Sequence, residues 1–255
     1  MTISEELTGG QKTFVLVHGA YHGAWCWKFV ADKLRRLGHQ VYTPTLTGLG
    51  ERSHLISFRP GLHTFIEDVA QVIRFEDLTN VILVGHSFAG SVVSGLADCM
   101  PENLSHLVYL DAQVLFNGQA PADTAPPAAI EIYKKRAEAS NFTSIPSPPV
   151  EAFGIHDPAM AKWVAAHVTP HPYQTYFDPL LLKNPLGNGV PATYIAVTNP
   201  EFANTALSRK VAREQAGWNY LELHTAHDAM LLAPEELTVM LLAIANSGQN
   251  QGKTL

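Results

Sequence analysis

The sequence predicts an α/β protein built on a mostly parallel, doubly wound sheet with an inserted cap region. Three observations carry that prediction. Short apolar runs alternate with amphipathic helical stretches over the first 112 residues, the pattern of parallel strands joined by crossover helices. Within it, Asn80 to Met100 runs from a β-branched strand through Gly85-His86-Ser87-Phe88-Ala89-Gly90 into a small-residue helix, with Ser at the apex of the turn. Between Gln113 and Pro191 periodicity weakens and most of the 17 prolines gather, so this stretch reads as an insertion folded over the sheet. One domain results, with its core at about 12–112 and 192–246 and the cap at about 113–191.

Residues 1 to about 11 read as a frayed leader. Thr13 to Val17 is a continuous apolar strand opening into His18-Gly19-Ala20-Tyr21-His22-Gly23-Ala24-Trp25, where small residues let backbone N–H groups approach a ligand. Trp27 to Leu37 is an amphipathic helix with basic residues near its end, stopped by Gly38. Gln40 to Thr43 is the next strand, followed by a turn-rich loop from Pro44 to His54. His63 to Phe75 is a helix, Val81 to Val84 the strand before Ser87, and His106 to Leu110 a strand that Asp111 terminates. In the cap, Ile130 to Ser140 and Pro158 to His167 read as short helices. Ala192 to Thr198 resumes the sheet, then come helix Leu207 to Ala216, strand Trp218 to Leu223, helix Glu235 to Ala245 and a disordered polar tail from Asn246.

Composition excludes several classes. A hydrophobic share of 46% against 16% charged residues describes a chain with a sizeable core. A net charge of -6 with no basic run argues against nucleic acid as partner. The start, MTISEELTGGQK, lacks the basic and apolar regions of a signal peptide, and no apolar run approaches the roughly 20 residues that span a bilayer. Cys26 and Cys99 form no motif and read as buried free thiols, consistent with a reducing cytoplasm. A homodimer is compatible with all of this.

The elbow lifts the hydroxyl of Ser87 to the top of the sheet, above a helix N-terminus that favours developing negative charge. Ala89 stands where the G-x-S-x-G pattern wants its last Gly. On such an elbow the acid and then the His follow Ser in chain order. His227, in the loop after the last predicted strand, is therefore the expected base, and His224, nearer the strand, reads as pointing sideways. For the acid, Asp111 is favoured, because hydrophobic patterning does not explain Asp at an apolar strand end. Glu201, just past the next strand, is the alternative. The oxyanion donors are expected at the backbone N–H groups of Phe88 and Ala20. Tyr21, His22 and Trp25, beside that loop, are candidate substrate contacts. Arg52 is open to binding a carboxylate or to holding its own loop. Tyr133, Phe142, Phe153, Trp163, Tyr173, Tyr176 and Phe177 are candidates to line a pocket or to pack the cap. The remaining ten histidines look scattered, and His167 and His171 are separated by Thr169-Pro170, so no helical metal pair is expected. Neither a metal nor a cofactor is expected.

These residues resemble a known family. VLVHGAYHGAWCW, PTLTGLGERSHL, GHSFAG and HDAML, in this order, are similar to one branch of the α/β-hydrolase superfamily. That branch holds plant methylesterases, plant hydroxynitrile lyases and bacterial esterase-like hydrolases, and PTLTGLGERSHL and YLDA carry the bacterial wording. The resemblance implies the α/β-hydrolase fold, Ser87 as nucleophile, His227 as base, and Ala20 with Phe88 as oxyanion donors. It leaves the acid open: the plant enzymes place it in the register of Glu201, and some haloalkane dehalogenases place it at that of Asp111. The lyases carry Thr after the first-strand His and Lys after the catalytic His; Gly19 and Asp228 stand there instead, which argues against lyase chemistry. A dehalogenase is disfavoured because its nucleophile is Asp. The expected activity is hydrolysis of a small carboxylic ester, carbamate or activated amide through an acyl-enzyme. A ligand-sensing receptor of the same fold with little turnover is the alternative.

Overall fold

The computed structural model describes residues 10–247. The expectations for the leader and for the absence of a signal peptide fall mainly outside these residues, and so does most of the polar tail. The strands are β1 (Thr13–Val17), β2 (Gln40–Tyr42), β3 (Val81–His86), β4 (Leu104–Leu110), β5 (Ser144–Ile145), β6 (His171–Pro172), β7 (Ala192–Val197) and β8 (Trp218–Leu223). Six of them form one sheet in the order β2-β1-β3-β4-β7-β8, and every pairing in it is parallel. All six residues of β3 are buried, as a strand covered on both faces requires, which is why it reads as an unbroken apolar run. β8 closes the sheet as an edge and is largely exposed.

The helices are α1 (Lys28–Arg36), α2 (Leu62–Phe75), α3 (Gly90–Cys99), α4 (Pro127–Ala137), α5 (Pro158–Ala165), α6 (Gln174–Phe177), α7 (Ala206–Glu214), α8 (Ala229–Leu232) and α9 (Pro234–Ser247). From β1 the chain steps one way to β2 and the other way through β3 and β4. Right-handed crossovers then put α1 on one face and α2 with α3 on the opposite one. α2 buries Leu62, Phe65, Val69, Ala70 and Ile73, a stripe at helical spacing, toward the sheet and α3. α1 packs against α9, and the Lys33–Glu235 ion pair ties the two at the surface. The reversal of strand order at β1 and β3 leaves a crevice at their C-terminal ends, the usual place for a ligand in such a sheet.

The differences from the sequence reading are local. The loop expected up to His54 winds from Gly50 to Phe58 as a 3-10 helix. Arg52 holds it, donating to the Thr45 carbonyl and Thr47 hydroxyl at 2.8 Å each and pairing with Asp68 at 3.2 Å. Cys99 is exposed, contrary to expectation, because it ends α3 on the solvent side; Cys26 is buried, and both are free thiols. The closing helix continues through Asn246 to Ser247, beyond the expected start of the tail. In 113–191 the ribbon of β5 and β6 and the short α6 carry no sequence periodicity long enough to announce them. No helix among the described residues is long and apolar enough to cross a membrane.

Candidate active site

Two loops meet at the switch point: His18 to His22 after β1, and Ser87 after β3. Ser87 has a φ of 56°, the strained conformation that a sharp strand-to-helix turn imposes on its apex. The turn is tight because a Cβ at Gly85 would stand 2.8 Å from the Ala89 carbonyl oxygen. The Ala89 methyl itself is fully buried and accommodated, so replacing the pattern's last Gly leaves the elbow intact.

His227 reaches Ser87 from the loop after β8. Its Nε2 lies 2.9 Å from the Ser87 hydroxyl and its Nδ1 2.7 Å from Asp111 Oδ2. Asp111 is fully buried, and its other oxygen accepts from the Thr205 hydroxyl at 2.9 Å and from Arg209 Nη1 at 3.3 Å. A carboxylate held by two further donors is an acceptor, so His227 Nδ1 carries the proton and Nε2 is left to accept from Ser87. Phe202 stacks on the imidazole at 3.7 Å between ring centroids. Glu201 lies elsewhere: its side chain is 62% exposed and pairs with the far side of Arg209 at 3.2 Å. The structure thus brings Ser87, His227 and Asp111 together and leaves Glu201 outside. His224, as expected, turns away to Thr198 and Asn199.

Buried histidines hold the β1 loop. His18 Nε2 accepts from the Leu46 N–H at 3.1 Å, so its Nδ1 donates to the Gly19 carbonyl at 2.9 Å. Burial lowers this ring to about 3, and it stays neutral. With the Gly19 carbonyl taken up on one side, the trans Gly19–Ala20 peptide directs the Ala20 N–H the opposite way. His22 faces only acceptors: the Ala20 carbonyl at 2.7 Å and Asp228 Oδ2 at 3.0 Å. Both its nitrogens therefore carry protons, and it is an imidazolium paired with a carboxylate. Burial opposes charge on both partners. The attraction between them, with their hydrogen bonds, prevails, raising His22 and lowering Asp228. His86 is pushed well below its ordinary value by burial and by the neighbouring His227; its Nε2 donates to the His227 carbonyl at 3.0 Å. Four histidines that look scattered in the sequence (His18, His22, His86 and His171) thus gather around this centre. His86, His227 and Asp228 bring ligating atoms within 4.8 Å of one another, but both His227 nitrogens and Asp228 Oδ2 are already engaged.

A cavity of about 210 Å³ opens over Ser87, and Ala20, Tyr21, His22, Phe88 and His227 are part of its wall. Trp25 is not: it lies behind, stacked on His22 at 5.2 Å and edge-on to Trp163 at 5.3 Å. Of the aromatic candidates in 113–191, Tyr133, Phe153 and Tyr176 line the cavity. Tyr173 instead packs on Phe142 and Phe177, and Trp163 on Trp25 and Phe29.

Thr205, Arg209, Phe202 and Asp228 emerge as site residues only in three dimensions. Only the first pair left a sequence signal, an i,i+4 spacing at the start of α7 that puts both side chains on one face.

A parallel sheet presenting Ser, Asp and His after β3, β4 and β8, in that chain order, defines the α/β-hydrolase class. The chain belongs to the alpha/beta hydrolase family, which matches residues 14–239. It is 35% identical over 239 residues to a carbendazim hydrolyzing esterase of Nocardioides sp. (strain SG-4G), covering 91% of this chain and 98% of that protein. Methylesterase 2 of Arabidopsis thaliana is 26% identical, with 92% and 96% covered. Among solved structures, an extracellular α/β-hydrolase from a Paenibacillus species, described as sharing homology with tobacco salicylic acid binding protein 2, superposes with a TM-score of 0.81. It is 26% identical, over 92% of this chain and 98% of that one. The chain is an enzyme of the carboxylesterase type within this family.

Proposed function

We propose that this enzyme is a serine hydrolase of small carboxylic esters, with carbamates and activated amides as related substrates. The Ser87 oxygen attacks the ester carbonyl while its proton passes to His227 Nε2. The tetrahedral oxyanion is held by the N–H groups of Phe88 and Ala20. Collapse expels the alcohol, which takes the proton from His227, and leaves the acyl group on Ser87. Water then attacks the acyl-enzyme with His227 as base, releasing the acid and restoring Ser87. Asp111 holds His227 in the required tautomer and stabilises the imidazolium that forms. The observation that carries this reading is the unbroken chain from Ser87 through His227 to Asp111, at 2.9 and 2.7 Å.

Residues 113–191 act as a cap in this reading, since they supply Ala129, Ile132, Tyr133 and Tyr176 to the cavity wall. Two free thiols suit a reducing cytoplasm as the place of action. The lyase reading is disfavoured because Asp228, in the register of the lyase Lys, is buried against His22. The receptor reading is disfavoured because the relative 35% identical over nearly the whole of both chains is a hydrolyzing esterase.

Intact mass after incubation with a fluorophosphonate tests the proposal. One adduct on the wild type, absent from Ser87→Ala, is expected, together with turnover of an ester panel that falls by several orders of magnitude in Ser87→Ala and His227→Ala. A folded wild type that forms no adduct would overturn it.

A further inference from the structure

Tyr21 is held in an uncommon backbone conformation. Its φ of 68° is strained for a bulky residue, and His171 Nδ1 fixes its N–H at 3.4 Å. The side chain is 3% exposed. Tyr21 lines the cavity, yet its hydroxyl meets no hydrogen-bond partner among the described residues. Buried polar groups are seldom left so, and one in a cavity wall is accounted for when a ligand brings the partner.

Two more phenols complete the feature. The Tyr133 and Tyr176 rings stand 5.0 Å apart, and the Tyr176 hydroxyl neighbours those of Tyr21 and Tyr133. Asn204 Nδ2 donates to the Tyr133 oxygen at 3.0 Å. Burial raises all three phenols above their ordinary value of 10, so each keeps its proton at neutral pH. Apart from the Asn204 contact no hydrogen bond engages these hydroxyls among the described residues, three hydroxyls in a row could satisfy at most two of their protons among themselves, and the Asn204 amide adds a donor, not an acceptor. Gln113 Oε1 and His86 Nδ1, acceptors on the same wall, reach none of these hydroxyls and are themselves unpartnered. The cluster therefore holds a surplus O–H proton and lacks an acceptor. Size adds a second constraint. An apolar cavity of about 150 Å³ holds benzene, so about 210 Å³ takes one ring with its ester group.

We propose that Tyr21, Tyr176 and Tyr133 form a specificity subsite for compact esters. The cavity-bound group of such an ester is a single ring or similar unit that ends in a hydrogen-bond acceptor, such as a ring nitrogen, a carbonyl or an ether oxygen. The inference rests on the hydrolase reading above. It separates substrates of equal shape by one atom: a ring nitrogen is favoured over the C–H that replaces it.

The test compares kcat/KM for methyl pyridine-3-carboxylate and pyridine-4-carboxylate with methyl benzoate, and for pyridin-4-ylmethyl acetate with benzyl acetate. Each ratio is divided by the ratio of alkaline hydrolysis rates, which removes the intrinsic effect of the nitrogen. One neutral hydrogen bond is worth about a 2- to 12-fold preference. A corrected preference of that size is expected in at least one pair, falling toward one in Tyr21→Phe or Tyr176→Phe, with folding checked by thermal melting. The same preference should appear without turnover, as stronger protection of Ser87 from fluorophosphonate by pyridine-4-carboxamide than by benzamide. Ratios near one throughout the wild type, or a preference kept by both Phe variants, would overturn the subsite. If Ser87 takes up no fluorophosphonate and no ester turns over, it is the hydrolase reading that falls.

Discussion

His22 Nε2 donates to Asp228 Oδ2 at 3.0 Å, with both side chains at or below 1% exposure. The pair joins the loop after β1 to the loop bearing His227, so two of the segments that converge on Ser87 are tied by one buried ionic hydrogen bond. Such a pair is costly to break, because the surviving charge is left without its partner: about 3–5 kcal/mol. Asp228→Asn should lose stability by roughly that amount, with a pH signature. His22 is raised above its ordinary 6.5, so its contribution is complete below that value and is lost as pH climbs through the raised one. Asp228 is lowered from 3.8, so its contribution is complete above that value and is lost as pH falls through the lowered one. The stability gap between wild type and variant should be widest between these two ordinary values and close under alkaline conditions. Urea unfolding across the pH range measures it, and a gap that does not change with pH would refute the ion pair.

Asp111→Asn and Glu201→Gln should part company. The first leaves the geometry nearly intact but offers His227 Nδ1 an amide in place of a carboxylate, so kcat should drop by about 10⁴-fold. The second removes a 62% exposed charge whose ion-pair partner among the described residues is Arg209, and surface ion pairs of this kind contribute about 0–1 kcal/mol. Its kcat should stay within about twofold. Comparable losses in both variants would contradict the assignment of the acid.

Much of this site is legible in the order of residues alone. Ser87 and His227 stand out because strand–turn–helix and post-strand loop positions are set by short-range pattern. Asp111 stands out for a different reason, as a charge where an apolar strand ends. Which of Asp111 and Glu201 lies beside His227 is visible only in three dimensions, because both residues follow strands on the same sheet edge. The histidine cluster is illegible: His18 and His22 from the β1 loop meet His86 from β3 and His171 from β6, and single buried histidines leave no periodic trace. The stretch 113–191 resists for the opposite reason. Its many prolines suppress periodicity, and two-residue strands such as Ser144–Ile145 fall below any window that pattern can resolve.

Gly19→Ala probes the crowding behind Ser87. A Cβ there would stand 2.8 Å from the Ser87 Cβ and 2.9 Å from His86 Nδ1, and neither neighbour is the free end of a flexible chain. Overpacking of this kind costs about 1–3 kcal/mol, and the strain would fall on the elbow itself. The melting temperature should drop by several degrees and the rate of fluorophosphonate labelling should fall with it. Unchanged labelling in a stable variant would mean that the β1 loop yields freely, against the clasp of buried histidines that holds it.

Arg209 is the residue whose removal should do more harm than its distance from Ser87 suggests. Its side chain is 8% exposed and bridges Asp111 at 3.3 Å and Glu201 at 3.2 Å, while Nη1 also donates to the Phe202 carbonyl and the Thr205 hydroxyl at 2.8 Å. It therefore neutralises the buried carboxylate and, through Phe202, fixes the ring that stacks on His227. Arg209→Met keeps the bulk but strands the Asp111 charge, which should cost about 3–5 kcal/mol and lower kcat more than KM changes. Arg209→Lys restores a cation without the planar fork that serves four acceptors at once, so it should recover part of the stability and less of kcat. Glu201→Gln provides the control, since it removes only the exposed arm of the bridge. If Arg209→Met unfolds at the same urea concentration as Glu201→Gln, the guanidinium does not compensate Asp111, and the carboxylate owes its place to Thr205 and His227 alone.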